Sequence, residues 1–473
     1  MMKLLAKSTA VASALLLQTT VSAQENEATV DAYAAGYKAA FTCSAIFNAA
    51  KTLPQINSHE FTGIYPLVAE KVKDLGTPRV DMGNKRVSVS YTTDMPPRVA
   101  QWRPHLGCVQ LPVGATVEEM SGNLPMLPDN FADTNPRADN GAPWTNWPEI
   151  DAPTGNAALD TALNKAFTRG AYGSHARTSA VIIATPDTII AEHYLDGFTP
   201  TTSQRTWSVA KSIAASVIGA ASHQGIIDIK SNKLMPEWSR PGDPRGKITL
   251  ENLLHMGSGL DSNRAGNRTD RLYIGGGLVT DTSTRSAVEA TAGTRWKYAN
   301  NDTLLAIRHL RAVMNNDAAY LAFPYKSLLH KIGMDHTVLE TDWEGNFVMS
   351  SQVWTTSRDL LRLGLLYMND GVWNGERILP EGWAKYVSTP APVEPAKSAD
   401  RPTRGYGAQW WLYPDFPGVP SDAYAALGNR GQILMIIPSK NLMIVRRGYD
   451  HAGGPGFDMP AFAADVIKAL ESQ

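Results

Sequence analysis

From residue 156 onward the chain switches between two hydrophobic rhythms. Ala158 to Phe167 places apolar residues at helical spacing. Thr178-Ser-Ala-Val-Ile-Ile-Ala and Asp187-Thr-Ile-Ile-Ala-Glu-His-Tyr read as two strands about a Pro186-Asp187 turn. The next apolar stripe, Ile213, Ala214, Val217, Ile218 and Ala221, predicts a helix that opens near Ser208 and ends near Gly225. Ile248 to Met256 predicts a short helix capped by Thr249, with Asn252 where a full capping box carries a longer acid or amide. The stretch 261–300 is polar, 301–333 is mostly helical, and Ser351 to Met368 is a second strong helix. Strands follow at Tyr406–Tyr413, Ala423–Leu427, Gln432–Ile437 and Leu442–Arg447, then a closing helix over 457–471. Strands at both ends with helices between them predict an α+β fold, one sheet built from both termini with an inserted helical lobe.

The first third is less regular. Residues 26–52 have helical spacing, and Arg79 to Tyr91 alternates about a Gly83-Asn84 turn, as a hairpin does. Residues 102–155 are rich in Pro, Asn, Asp and Trp, which predicts an extended wrap over the main domain, too long to be structureless throughout. The opening residues, Met-Met-Lys-Leu-Leu-Ala-Lys, then an apolar run Thr9–Leu17, then Val21-Ser22-Ala23, have the form of a cleaved secretory signal peptide. The run is shorter than the roughly 20 residues a spanning helix needs, so no membrane anchor is expected. The expected organisation is a leader at 1–23, an N-terminal extension at 24–155 and a catalytic domain at 156–473, exported to a periplasm or beyond.

Charge and composition narrow the classes. The net charge is −1, and no basic run argues for nucleic acid or an anionic membrane surface. The cysteines are two, Cys43 and Cys108; in an oxidising compartment the pair reads as one disulfide, the alternative being two buried thiols. Neither Cys-x-x-Cys nor His-Glu-x-x-His occurs, so no metal or other cofactor is expected.

The candidate chemistry starts at Ser208-Val-Ala-Lys211. Residues three apart on a helix share a face, so the Lys211 amine can reach the Ser208 hydroxyl. Serine needs a neighbouring base to become a nucleophile, and lysine serves only when its surroundings lower its pKa. Ala, Val and Ile around Lys211 favour the neutral amine, and the helix N-terminus suits a developing oxyanion. A capping serine beside a surface lysine is the bland alternative. Downstream, Tyr298-Ala-Asn300 offers a phenol able to shuttle a proton and an amide able to hold the lysine and a substrate carbonyl. A second Tyr-x-Asn, Tyr367-Met-Asn369, lies late in an apolar helix and is assigned to packing.

Ser208-x-x-Lys211 followed by Tyr298-x-Asn300 resembles the serine beta-lactamase-related hydrolases, which include class C beta-lactamases, DD-peptidases, esterases and 6-aminohexanoate-dimer hydrolases. Leu253-Leu-His-Met-Gly-Ser-Gly-Leu260, Thr355-Thr-Ser-Arg-Asp-Leu, Tyr406-Gly-Ala-Gln-Trp-Trp and Gly428-Asn-Arg-Gly-Gln are similar to further stretches of that family, over about residues 156–470. Gln-Trp-Trp and Gly-Gln look most like the aminohexanoate-dimer branch. The resemblance implies a beta-lactamase/transpeptidase-like fold, a mostly antiparallel sheet flanked by helices. It implies Ser208 as acylated nucleophile, Lys211 as base, Tyr298 as acid/base and Asn300 as orienting residue. The oxyanion hole would be the Ser208 N–H and one N–H near Gly428–Asn429. The family's Lys-Thr-Gly is absent; Arg430 is a candidate replacement for that charge, or else a hairpin residue. His451-Ala-Gly453 follows the last strand and reads as a loop bordering the cleft. The expected activity is hydrolysis of a small ester or amide, with a beta-lactam or D-amino-acid peptide as alternative substrates. A catalytically silent binding or cell-wall-sensing protein of the same fold is the alternative from another class.

Overall fold

The computed structural model describes residues 27–128, 131, 144, 147–262 and 270–472. The expected leader, 1–23, lies outside the described residues.

The part of the chain from residue 157 on is organised by a seven-stranded antiparallel sheet. Its order is Gly405–Tyr406, Trp411–Leu412, Tyr424–Gly428, Gln432–Ile437, Leu442–Gly448, Thr178–Ala184, Ile189–Tyr194. Strands from both ends therefore meet at the Leu442–Gly448/Thr178–Ala184 pair, as the two-ended pattern predicted. The three strands at this junction are buried along their whole length, which is why they read as continuous apolar runs. One face packs against helices Ala157–Phe167 and Met459–Glu471. The other packs against Val209–His223 and Ser357–Met368.

Val209–His223 is buried all round, every residue from Val209 to Ala221 being buried. It ends where the sequence placed it, with Gly225 at φ +70°. The short helix Leu250–Leu254 has a complete reciprocal cap: Thr249 N–H donates to Asn252 Oδ1 at 3.0 Å and Asn252 N–H donates to Thr249 Oγ1 at 3.1 Å. The shorter amide therefore suffices. Tyr367 is buried in Ser357–Met368 with its hydroxyl 2.8 Å from Ser216 Oγ, so the second Tyr-x-Asn is packing.

The extension differs most from expectation. Residues after 102 do not begin as a wrap: Arg98–Arg103 and Gly107–Gln110 are strands that complete a four-stranded antiparallel sheet with Arg79–Asp81 and Arg86–Val89. Helix Glu27–Phe47 packs across this sheet, and the Cys43–Cys108 disulfide ties the two together. The first two strands are the hairpin expected at Arg79–Tyr91; the other two were hidden because they are short and the alternation of Arg98–Arg103 is broken by buried Arg98 and Arg103. Arg98 Nη1 donates to Ala32 O at 2.8 Å and Nη2 to Gly275 O at 3.1 Å, joining the extension to the lobe.

A buried ion pair fastens the extension to the last strand. Lys51 Nζ sits 2.6 Å from Glu60 Oε1 with both side chains 3% exposed, and it also meets the Tyr449 hydroxyl. Removing one partner of such a pair strands the other charge in low dielectric. Lys51→Met should therefore destabilise the protein by about 3–5 kcal/mol, and Lys51→Met/Glu60→Leu should recover most of that loss. Denaturant unfolding of the two variants checks this; equal losses would mean that Glu60 is not stranded.

Candidate active site

Ser208 caps the N-terminus of Val209–His223, and the residue before it is held in a costly conformation. Trp207 has φ +50°, a left-handed backbone rare for a bulky side chain. Thr206 O accepts from the Val209 N–H at 3.3 Å, closing a tight turn that leaves the Ser208 side chain partly exposed. The turn is braced from behind. The Arg205 guanidinium lies 3.9 Å from the Trp207 ring centroid, 4.3 Å from Phe41 and 4.8 Å from Tyr273. Phe41 belongs to the extension, so the element outside the expected catalytic portion supports the turn that carries Ser208.

Lys211 sits one helical turn on and is 1% exposed. Its Nζ is 3.3 Å from Ser208 Oγ, 2.5 Å from Asn300 Oδ1 and 2.8 Å from Ser350 O. Among the described residues no carboxylate offsets its charge, and burial lowers its pKa to about 7. A neutral amine has two N–H donors and one lone pair. Asn300 and Ser350 accept the two donors, which leaves the lone pair for the Ser208 hydroxyl.

Tyr298 lies on the other side of Ser208. Lys211 Nζ is 5.0 Å from its ring centroid, and the ring is flanked by Trp411 at 5.3 Å and Tyr406 at 6.0 Å. Burial pushes the phenol up to about 12, against a hydrogen bond with Ser208 that holds it lower. Near neutral pH the phenol thus keeps its proton while the amine can lack one. The two groups are separated into an acid and a base by environment.

The segment carrying Tyr298 and Asn300 is held by the Leu253–Leu260 turn. Lys297 N–H donates to Met256 O at 2.9 Å, and Ser258 Oγ donates to Asp302 Oδ1 at 2.8 Å. Gln409 joins this lobe to the Ser208 helix. Its side chain accepts from Thr303 Oγ1 at 2.7 Å and donates to Leu254 O at 2.8 Å, while its carbonyl accepts from Ser212 Oγ at 2.7 Å.

Strand Tyr424–Gly428 forms the opposite wall. Trp411–Leu412 pairs only with Ala425 and Tyr424, so the edge from Ala426 to Gly428 is unpaired on that side. Gly428 reaches the Ser208 turn. A Cβ there would stand 2.1 Å from Thr206 O and 3.2 Å from Val209 N, so only glycine permits this approach.

The structure thus brings together Ser208, Lys211, Tyr298, Asn300 and Gly428. It does not bring in the other two strand candidates. Asn429 is exposed at the turn, its side chain accepting from the Arg430 N–H at 2.9 Å. Arg430 is buried and turned into the extension, donating to His59 O at 2.8 Å, Thr62 O at 2.6 Å and Asp450 O at 3.2 Å. It is a structural hairpin residue rather than a replacement for the missing cation. His451 packs against Gly63 of the extension, whose Cβ would lie 2.4 Å from its ring, instead of facing the cleft. Sequence reasoning missed Arg205, Trp207, Ser350 and Gln409. Gln-Trp-Trp marked Gln409 as a motif without a role; the other three act through contacts with residues more than a hundred positions away, which leave no local pattern.

The seven-stranded antiparallel sheet, the helices that flank it and the helical lobe define a beta-lactamase/transpeptidase-like fold. The beta-lactamase family model matches residues 163–446, and the chain belongs to that family of hydrolases. The 6-aminohexanoate-dimer hydrolase of Paenarthrobacter ureafaciens is 26% identical over 291 residues, 57% of this chain and 72% of that one. Among solved structures, a family VIII carboxylesterase superposes with TM-score 0.53 at 14% identity, covering 69% of this chain and 99% of that one. A penicillin-binding protein homologue from Caulobacter crescentus gives TM-score 0.53 at 14% identity, over 69% of this chain and all of the other. These two likenesses show the fold.

Two substitutions read the geometry. Gly428→Ala should push the strand away from the Ser208 turn and lower kcat on a nitrophenyl ester by about a hundredfold or more, with the fold retained by circular dichroism. Tyr298→Phe keeps the ring and removes the phenol; we expect a loss of about a hundredfold, and a near-wild-type rate would move Tyr298 to a packing role.

Proposed function

We propose that this protein is an exported serine hydrolase that cleaves an ester or amide bond through an acyl-enzyme on Ser208. The observation that carries this reading is the Lys211 amine. Its two donors are taken by Asn300 Oδ1 and Ser350 O, and its remaining valence faces Ser208 Oγ. In acylation the Ser208 proton passes to Lys211 Nζ as Oγ bonds to the substrate carbonyl carbon. The carbonyl π electrons move to oxygen, where the Ser208 N–H and an N–H of the Gly428 edge can receive the charge. As the tetrahedral adduct collapses, the bond to the leaving group breaks and the Tyr298 phenol supplies the leaving group's proton. Tyr298 is restored from Lys211. Water then repeats the sequence on the ester and frees Ser208. Export is supported by the leader-like residues 1–23 and by the Cys43–Cys108 disulfide, which suits an oxidising compartment.

The strand that runs up to Gly428 reads Ala426-Leu427 in place of Lys-Thr-Gly, so it offers no cation beside the oxyanion position, and Arg430 is engaged elsewhere. A substrate carboxylate close to the reacting carbonyl, as in a cephalosporin, would lack a charge-assisted hydrogen bond commonly worth about 1.5–3 kcal/mol. Esters and amides without a carboxylate next to the reacting carbonyl are therefore the proposed substrates. The names of the relatives, a 6-aminohexanoate-dimer hydrolase and a carboxylesterase, agree with a hydrolase of this kind.

Intact mass after treatment with a serine-directed fluorophosphonate tests the nucleophile. One adduct on the Ser208 peptide, lost in Ser208→Ala and slowed in Lys211→Arg, is expected, because arginine stays protonated. Labelling that persists in Ser208→Ala would overturn the assignment. For the substrate, kcat/KM on nitrophenyl butyrate should exceed that on a chromogenic cephalosporin by at least about tenfold. The reverse order would contradict this reading of the strand.

A further inference from the structure

Behind Tyr298 the protein opens a second space. A cavity of about 600 Å³ is lined by Trp296, Trp411 and Leu427, with Lys397, Arg401 and Arg404 around it. It adjoins the reaction site. Trp411 lies 5.3 Å from the Tyr298 ring centroid, and the Arg404 guanidinium lies 5.1 Å from the Trp411 centroid. Tyr298 and Arg404 are thus one aromatic ring apart, and the Arg404 charge is felt at the phenol. Leu427 immediately precedes Gly428 on the strand edge.

The charges here are not balanced by the protein. Among the described residues none of the three cations is ion-paired with a carboxylate. Two carboxylates are near. Asp458 lines the cavity, but its Oδ1 accepts from the Ala461 N–H at 3.1 Å as a helix cap. Glu394 packs beside Gly405, whose Cβ would lie 2.8 Å from its Oε1. Three cations against these two carboxylates, one of them a helix cap, leave a net positive charge around the concavity. Trp296 and Trp411 lie beside Tyr298 and Arg404 lies beyond Trp411, an arrangement that fits an apolar spacer ending in an anion.

The side of the scissile bond follows from the chemistry. In the proposed reaction Tyr298 hands a proton to the leaving group, so the leaving group points towards Tyr298 and the space behind it. Resting on that reading of Ser208, Lys211 and Tyr298, we propose that this cavity is a leaving-group subsite for a carboxylate held several bonds beyond the scissile ester or amide. It differs from the missing Lys-Thr-Gly position in distance: a cephalosporin carboxylate lies beside the reacting carbonyl and cannot extend past Trp411.

The test compares two butyrate esters, of 3-(4-hydroxyphenyl)propanoic acid and of its primary amide, followed by phenol release at low ionic strength. The carboxylate substrate should give kcat/KM about tenfold higher, and added sodium chloride should shrink the ratio. Arg404→Gln should bring the ratio close to one, and Arg401→Ala should lower it partway. The ratio is the readout because Arg404 also acts on the Tyr298 phenol and its loss slows both substrates. Equal rates in the wild type, or a ratio unchanged in Arg404→Gln and by salt, would overturn the subsite. A preference shown only by esters with the carboxylate on the acyl part would overturn the leaving-group assignment. Failure of the Ser208 reading is separate: it would appear as phosphonate labelling and turnover of the amide ester that persist in Ser208→Ala.

Discussion

The site depends on one lysine amine kept out of water without a counter-ion. Lys211 is on the first turn of a helix whose residues Val209 to Ala221 are all buried. Taking an ammonium from water into such a place costs several kcal/mol unless it is paired. Here the partners are an amide oxygen and a backbone carbonyl, which accept hydrogen bonds and carry no charge. Neutralisation is the cheaper outcome, and a neutral amine beside a hydroxyl is a base. The core of the fold and the proposed catalytic step therefore rest on one constraint, because the helix that fills the space between sheet and lobe is also what strips Lys211 of water.

The same geometry explains why so much chain is devoted to the neighbourhood of one turn. Trp207 in a left-handed conformation and Gly428 in near contact with Thr206 are both costly unless the surroundings fix them. The fixing groups come from distant parts of the chain. Phe41 and Tyr273 enclose Arg205, whose Nε donates to Ser351 O at 3.1 Å, next to the Ser350 carbonyl that receives Lys211. Arg430 and the Lys51–Glu60 pair fasten the extension to the turn and strand that follow Gly428. Glu340 accepts from Ser44, Asn48 and the Cys108 N–H, holding the disulfide-linked helix and sheet against the lobe. The extension lies outside the span of the family model, yet its Phe41 touches the residues that position the turn carrying Ser208.

What the sequence disclosed and what it hid follow from the range of the interactions. The two-ended sheet was legible because its strands are continuous apolar runs, and the helix at Ser208 because its stripe repeats at helical spacing. Ser208 and Lys211 were legible because one turn of helix separates them. Tyr298 and Asn300 needed the family pattern, since nothing in ninety intervening residues states that they return to the same place. Arg430 was misjudged because sequence shows a cation on a hairpin but not where its guanidinium points. Half of the four-stranded sheet of the extension was legible as the hairpin Arg79–Tyr91; the other half was missed because Arg98–Arg103 carries two arginines that are buried by bonding to backbone carbonyls, which breaks the alternation by which a half-buried strand is recognised.

The central claim is that burial sets Lys211 to accept a proton near neutral pH. The most direct measurement is the pH dependence of the rate at which a fluorophosphonate phosphonylates Ser208. The amine is the base only when unprotonated, so the rate should rise with pH and level off with a midpoint close to Lys211's value of about 7. Asp302 and Glu340 are also buried carboxyls pushed up to about 7, so Asp302→Asn and Glu340→Gln should keep that midpoint if Lys211 produces it. A rate that climbs without levelling to pH 10, or a midpoint that moves with either carboxyl and not with Lys211, would contradict the account.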